Sequence, residues 1–351
     1  MFIVISILIF GLLIAIHELG HFVAAKAFGV GVPEFAIGMG PKLLKKQGKE
    51  TLYTLRAIPM GGFCAMDGDD NEVAGDKSLN AKPLWKRLII FASGSVMNLF
   101  AGFLILLVLY GTWAVLPTTT LSGFAEGFPL EGEQGFLVGD RFHSIDGARV
   151  FQNQNIGLLL NLSTGDTIDV VIIRDGERVS LNNLPLERRV FPGEENPRFG
   201  FHFAVNENPT IGDRIAFTWN SVLDFMRQLP LSIRMFASGQ AGIGDVSSVV
   251  GIVDVMNEAG RTAETIGLAA MRLAMIAAII SIGVAMVNLM PIPGLDGGRI
   301  FLMLVSWVIL KIFGRPLSPK YEGYINTAGL ILLFGFMIFI MFQDIIQIAT
   351  R

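Results

Sequence analysis

Three side chains near the start of the chain have the types and spacing of a metal-dependent hydrolase. His17, Glu18 and His21 form the pattern H-E-x-x-H inside the apolar run of residues 12–27. On a helix, positions i and i+4 share one face, so His17 and His21 can offer two imidazole nitrogens to one Zn²⁺ per chain. Glu18 stands beside them as a general base. The competing reading is a helix end at which His and Glu simply reach water. A carboxylate near a bilayer centre costs roughly 2.5–3.5 kcal/mol, so polar groups kept among apolar flanks point to chemistry. Tetrahedral zinc needs a third protein ligand, and the best candidate is Asp296 in NLMPIPGLDGG, residues 288–298. Pro291, Pro293 and Gly294 break a helix there, which can bring a carboxylate to membrane depth. Capping of the following helix is a second use open to Asp296. Asn98, in GSVMN (94–98), lies within an apolar stretch. It either faces the centre and holds an oxyanion or substrate carbonyl, or bonds a neighbouring helix, which Gly94 lets approach closely.

These residues need membrane helices to position them, and the composition supplies them. The 351 residues are 52% hydrophobic and 16% charged, against roughly 25% charged in soluble domains. The fold class expected is an α-helical membrane protein. A net charge of −3 argues against nucleic acid as a partner. With one cysteine, Cys64, there is no intrachain disulfide and no thiolate-rich zinc cluster.

Four segments approach the ~20 residues a transmembrane helix needs: about 1–28, 86–116, 265–290 and 324–348. The first has no basic leader region, and cleavage after it would discard His17, Glu18 and His21, so it reads as a retained helix. Residues 300–313 are apolar but short and read as a re-entrant or surface helix. Lys42, Lys45, Lys46, Lys49, Lys82, Lys86 and Arg87 follow the first span, and Arg299, Lys311, Arg315 and Lys320 follow the third. Both connections therefore belong in the cytoplasm, with residues 117–264 and both termini outside. Arg272, inside the third span, is expected to snorkel to the outer interface. His17 then lies roughly 24 Å down its helix, within the membrane and towards the cytoplasmic side.

Four domains follow: an N-terminal membrane part (1–116), an external β-rich domain (117–209), an external amphipathic helix and connector (210–264), and a C-terminal membrane part (265–351). Within the first, residues 33–75 alternate β-favouring residues with Gly and Pro. Residues 51–57 read as a strand and Gln47-Gly48 as a hairpin turn. The hairpin either dips into the membrane beside the catalytic helix or stays a solvated loop. In the external part, residues 170–174, Asp175-Gly176 and residues 177–181 carry a hairpin signal. A strand–turn–strand pattern follows Gly139-Asp140, and residues 152–162 suit a short helix. Residues 211–237 look amphipathic, lying on the outer membrane surface or packing on the small domain. His143 and His202 fall in that external part, away from the centre.

The pattern resembles the site-2 protease family of intramembrane zinc metalloproteases, particularly its bacterial members with an external PDZ domain. HELGH (17–21), GMGPK (38–42), PMGGFCAMDGDD (59–70), GSVMN (94–98), NLMPIPGLDGG (288–298) and RPLSP (315–319) stand in family order across nearly the whole chain. The resemblance implies zinc held by His17, His21 and Asp296, with Glu18 activating water. It places the family's G-x-x-x-N motif on Gly94 and Asn98, and its substrate-handling residues on Asn288, Pro291 and Pro293. Residues 36–66 become the family's membrane-embedded β-element, which pairs with unwound substrate, and residues 135–147 resemble a PDZ core. Tyr53 and Leu55, on the 51–57 strand, are then expected to offer backbone N–H groups to that substrate. The implied substrates are single-pass membrane proteins, such as anti-sigma factors, or signal-peptide remnants, in a bacterial inner membrane. Two rival readings make other demands on the sequence. An ion transporter would show internal repeats, which are not evident. A binding protein without catalysis would not need the intact His17, Glu18, His21 and Asp296.

Overall fold

The computed structural model describes residues 1–68, 75–163, 167–193, 195–240, 242, 244, 246–315 and 318–350, with Met60 and Pro319 described for backbone only. Asp69 and Asp70 of one family-order motif, and Pro316 and Leu317 of another, lie outside the described residues. The chain divides into two units, Met1–Leu106 with Phe225–Arg351, and Leu107–Asp224.

In the first unit, α1 (Phe2–Ala27) is apolar up to Lys26 apart from Ser6, His17, Glu18 and His21, and Gly29 (φ 70°) stops it. A positive φ suits glycine at a helix end. Two long strands follow, β1 (Glu34–Gln47) and β2 (Leu52–Ala65). A hairpin does turn at Gln47-Gly48, where Gly48 N–H donates to Thr51 O at 2.9 Å. Each strand, however, folds over and is used twice. Residues 44–47 run antiparallel to residues 52–55; residues 34–37 lie on the other side of 52–55, parallel to them, and pair antiparallel with residues 62–65. The sheet thus has four rows, in the order 44–47, 52–55, 34–37, 62–65. Glu34 staples its centre, accepting from Arg56 (2.8 Å), Thr54 (2.8 Å) and Lys42 (3.0 Å). Burial pushes its carboxyl up, but the bonds from Arg56, Lys42 and Thr54 outweigh that and hold it at about 2.

α2 (Leu84–Gly111) follows, and five further helices belong to the unit: α4 (Ile211–Ala237), from Phe225 onwards, then α5 (Val249–Arg261), α6 (Ile266–Asn288), α7 (Asp296–Phe313) and α8 (Pro319–Thr350). Among the described residues four helices are long and apolar enough to cross a membrane: Phe2–Ala27, Leu84–Gly111, Ile266–Asn288 and Lys320–Thr350. The second span stops at Gly111 rather than near 116, because Leu116 already begins a strand. α8 buries little of itself. Among its anchors are Gly329, packed against Pro293, and Asp344, which accepts from Ser248 N–H (2.6 Å), Ser248 Oγ (2.5 Å) and Gly251 N–H (3.1 Å) at the start of α5. Arg272 holds the other end of α5, donating to Ala259 O at 3.4 Å and Thr262 Oγ1 at 3.1 Å. An acid at the N-terminus and a base at the C-terminus complement the helix dipole.

The second unit is wider than residues 117–209, since the end of α2 and the first half of α4 pack with it. Its strands are β3 (Leu116–Phe124), β4 (Arg141–Ile145), β5 (Ala148–Arg149), β6 (Ile168–Arg174), β7 (Glu177–Leu184) and β8 (Phe201–Asn206), with α3 (Ile156–Leu162) after β5. They form one antiparallel sheet in the order β7-β6-β4-β3-β8, with β5 paired to β4. The turn at Asp175-Gly176 has positive φ at both residues (53° and 85°), as a tight hairpin requires. Phe136, Phe142, Ile145, Ile156, Val170 and Ile172 fill the core. The buried Asp140 carboxylate takes two bonds from Arg174, at 2.8 and 2.7 Å.

Candidate metal centre

α1 carries His17 and His21 on one face, and the turn between α6 and α7 carries Asp296 to meet them. That turn follows from its sequence: α6 ends at Asn288, Pro291 and Pro293 prevent it from continuing, and Gly294 (φ 95°) reverses the chain. Asp296 is then the first residue of α7. Its Oδ2 lies 3.0 Å from His17 Nε2 and 3.2 Å from His21 Nε2, and the two Nε2 atoms are 3.2 Å apart. His21 Nδ1 sits 2.8 Å from Ile90 O. A carbonyl only accepts, so Nδ1 carries the proton and Nε2 presents its lone pair, the tautomer a metal requires. Two imidazole nitrogens and a carboxylate suit Zn²⁺ with one position left for water. Among the described residues no other three metal-ligating side chains converge in this way.

α2 crosses against this face of α1. A Cβ on Gly94 would stand 2.5 Å from His21 Nε2 and 2.7 Å from His17 Nε2, and Gly20 meets the Ser93 carbonyl directly. Gly94→Ala thus sets two effects against each other. Alanine improves helix propensity by about 1 kcal/mol, yet its methyl occupies the space of the imidazoles. The variant is expected to fold normally by circular dichroism but to lose zinc and roughly 10²-fold in activity, the scale of a ~1 Å misplacement. Zinc content unchanged by elemental analysis would show that the imidazoles can give way.

Glu18 projects beside the histidines and meets the backbone of Cys64 in residues 62–65 of β2. The Asn288 amide lies 3.4 Å from His17 Nε2. Asn98, one turn beyond Gly94, is fully buried. Its backbone carbonyl accepts from Ser281 Oγ at 2.8 Å, while neither atom of its amide has a partner among the described residues. The interhelical bond is made by the backbone, leaving the side chain for another use. Pro291 is exposed and Pro293 packs on Gly329, so both shape the turn and neither lines the cleft at His17 and Glu18.

Tyr53 and Leu55 are not where a single hairpin would put them. Residues 52–55 have a paired row on each side, so their backbone groups already serve the sheet. The row at the edge beside α1 is 62–65. Strand character at 51–57 was legible, but the folding-over of both strands was not, because pairing between residues 34–37 and 62–65 leaves no local signature. Ile90 O also escaped sequence reasoning, since any helical carbonyl looks alike in sequence. Arg272 donates to the end of α5 where snorkelling was expected. His143 and His202 belong to the second unit, where they meet Arg149 (3.0 Å) and Arg198 (3.2 Å).

Comparison with known proteins bears on this centre. The profile of peptidase family M50 matches residues 5–336. A candidate zinc metalloprotease of Clostridium perfringens is 33% identical over 357 residues, covering 99% of each chain. One from Clostridium acetobutylicum is 33% identical over 344 residues, 98% of this chain and 97% of the relative. The regulator of sigma-W protease RasP from Bacillus subtilis is 24% identical over 420 residues, 97% of each.

Proposed function

The chain belongs to peptidase family M50, and from that premise we propose that it cleaves membrane-spanning segments of single-pass proteins within the bilayer. It is an integral membrane zinc metalloendopeptidase of the site-2 protease type. The observation that carries the finer reading is the convergence of His17, His21 and Asp296 on apolar helices, with Glu18 beside the outermost row, 62–65, of the sheet.

In this reading His17 Nε2, His21 Nε2 and Asp296 would hold the zinc. When bound, zinc polarises the scissile carbonyl and lowers the pKa of its water towards ~7. Glu18 accepts the proton of that water and passes it to the leaving amine. Asn98 and Asn288 are the amides available to orient the substrate backbone. A transmembrane substrate hides its carbonyls in helical hydrogen bonds, so it must unwind before attack. Residues 62–65 can repay those lost bonds by accepting the unwound segment as a further strand. By the distribution of Lys and Arg, the sheet and the start of α7 lie on the cytoplasmic side of a bacterial inner membrane, with a PDZ-like second unit outside. The relative RasP is named for sigma-factor regulation; membrane-anchored sigma-factor regulators, or signal-peptide remnants, are the substrate class proposed here.

Trapping tests the edge. In a Glu18→Gln, Cys64→Ala background, Ala65→Cys is expected to form disulfides with cysteines at alternate positions of a bound substrate. Facing residues on paired strands lie close enough for this. Leu55→Cys, in a row already flanked on both sides, is expected to capture none. Equal capture at the two positions would remove strand addition at residues 62–65.

A further inference from the structure

Beside Glu18 the first unit has a cleft of about 230 Å³ that opens onto His17, Asn288 and Asp296, with Ile14, Val284 and Leu295 as its apolar walls. We infer that this cleft is the subsite for the substrate side chain next to the scissile bond, with Ile14 and Val284 setting its size limit. The inference rests on the proteolytic reading above and adds to it which substrate residue is selected, and by what.

The spacing of the walls ties them to the chemistry. Ile14 precedes His17 by three residues and Glu18 by four, so it shares their face of α1. Val284 precedes Asn288 by four and shares its face of α6. Any side chain held between Ile14 and Val284 therefore lies one helical turn from the proposed metal ligand, base and amide together. The strand edge aims at the same place: a Cβ on Gly62 would stand 3.2 Å from Glu18 Cγ and 3.8 Å from Ile14 Cγ2. Side chains of an added strand alternate in direction. One residue of such a strand thus turns towards α1 and the cleft while its neighbours turn away.

Size and polarity then define what fits. A dry cavity of about 150 Å³ lined by Leu, Ile and Phe holds a benzene ring, so this larger cleft takes an aliphatic or phenyl side chain. With apolar walls from three segments and Glu18 beside them, a substrate carboxylate would lose hydration and meet a charge of its own sign. Discrimination in such a pocket runs at roughly 10- to 200-fold per small change in side-chain size.

The test uses the full-length zinc-loaded protein in lipid nanodiscs and a model transmembrane substrate whose cleaved bond is located by mass spectrometry. Ala, Leu, Phe and Asp are placed in turn at each position flanking that bond. At one position only, the wild type is expected to favour Leu and Phe over Asp by at least tenfold. Val284→Phe should reverse the order, lowering cleavage of the Leu and Phe substrates at least tenfold relative to Ala. Val284→Ala and Ile14→Ala should raise the Phe-to-Leu ratio, which covers the case where the larger residue harms folding. In the Glu18→Gln background, binding of uncleaved substrates should follow the same order. No cleavage by wild type would overturn the proteolytic reading itself. Cleavage with preferences unmoved by all three variants would overturn the subsite alone.

Discussion

Glu18→Gln is expected to keep one zinc per chain and to lower cleavage of a transmembrane substrate by roughly 10²–10⁴-fold, the usual cost of losing a general base. Glutamine has the shape of glutamate, so its contacts with α1 and with the Cys64 backbone can persist. What it lacks is the basicity to take a proton from water. Glu18 is not among the three converging ligand atoms, which come from His17, His21 and Asp296, and zinc content should therefore be unchanged. The measurement pairs elemental analysis with gel-resolved cleavage in reconstituted membranes. Retained zinc with near-wild-type cleavage would show that another group moves the proton. Lost zinc would make Glu18 a ligand instead.

Asp296→Ala is expected to remove most of the zinc and, with it, activity. The carboxylate supplies the one anionic ligand of the set, 3.0 and 3.2 Å from the two imidazoles. Losing only an outer partner of a metal ligand typically weakens binding 10–100-fold, and losing a ligand should exceed that. The fold should tolerate the change. Asp296 makes no side-chain cap in α7, whose position is set by the turn at residues 290–295 and by Gly297 and Gly298 packed on that turn. Zinc content and helical circular dichroism on the same preparation decide the matter. Unchanged zinc would mean that the third ligand lies elsewhere. Loss of helix along with zinc would mean that Asp296 holds the fold as well as the metal.

The two variants separate the parts of the site that different stretches of chain encode. His17, Glu18 and His21 lie within one helical turn, so their relation is fixed by helix geometry and was legible from spacing alone. Asp296 was legible for a different reason. The prolines and glycine before it announce a broken helix at membrane depth, and a carboxylate there asks for a partner. The four spans followed from apolar length and the Asp175-Gly176 hairpin from turn chemistry.

Long-range pairing decided the rest. A strand's sequence reports that it is extended but not how many neighbours it has, and residues 52–55 read the same at an edge or in a centre. Only the folded sheet, with residues 34–37 between 52–55 and 62–65, puts Tyr53 and Leu55 in an inner row and residues 62–65 in the outer row beside Glu18. The same holds for Gly94, which sequence allowed as a point of close approach and tertiary structure set against both imidazoles. It holds for Ile90, whose carbonyl fixes the tautomer of His21. It holds also for Asp344 and Arg272, charged residues near membrane helices that turn out to hold opposite ends of α5. The sequence by itself determined the chemistry, because the reacting groups lie on local elements whose periodicity is fixed by the backbone. The tertiary structure decided which row, cleft and buried partner stand beside those groups, because an edge, a cleft and a buried partner exist only between segments far apart in the chain.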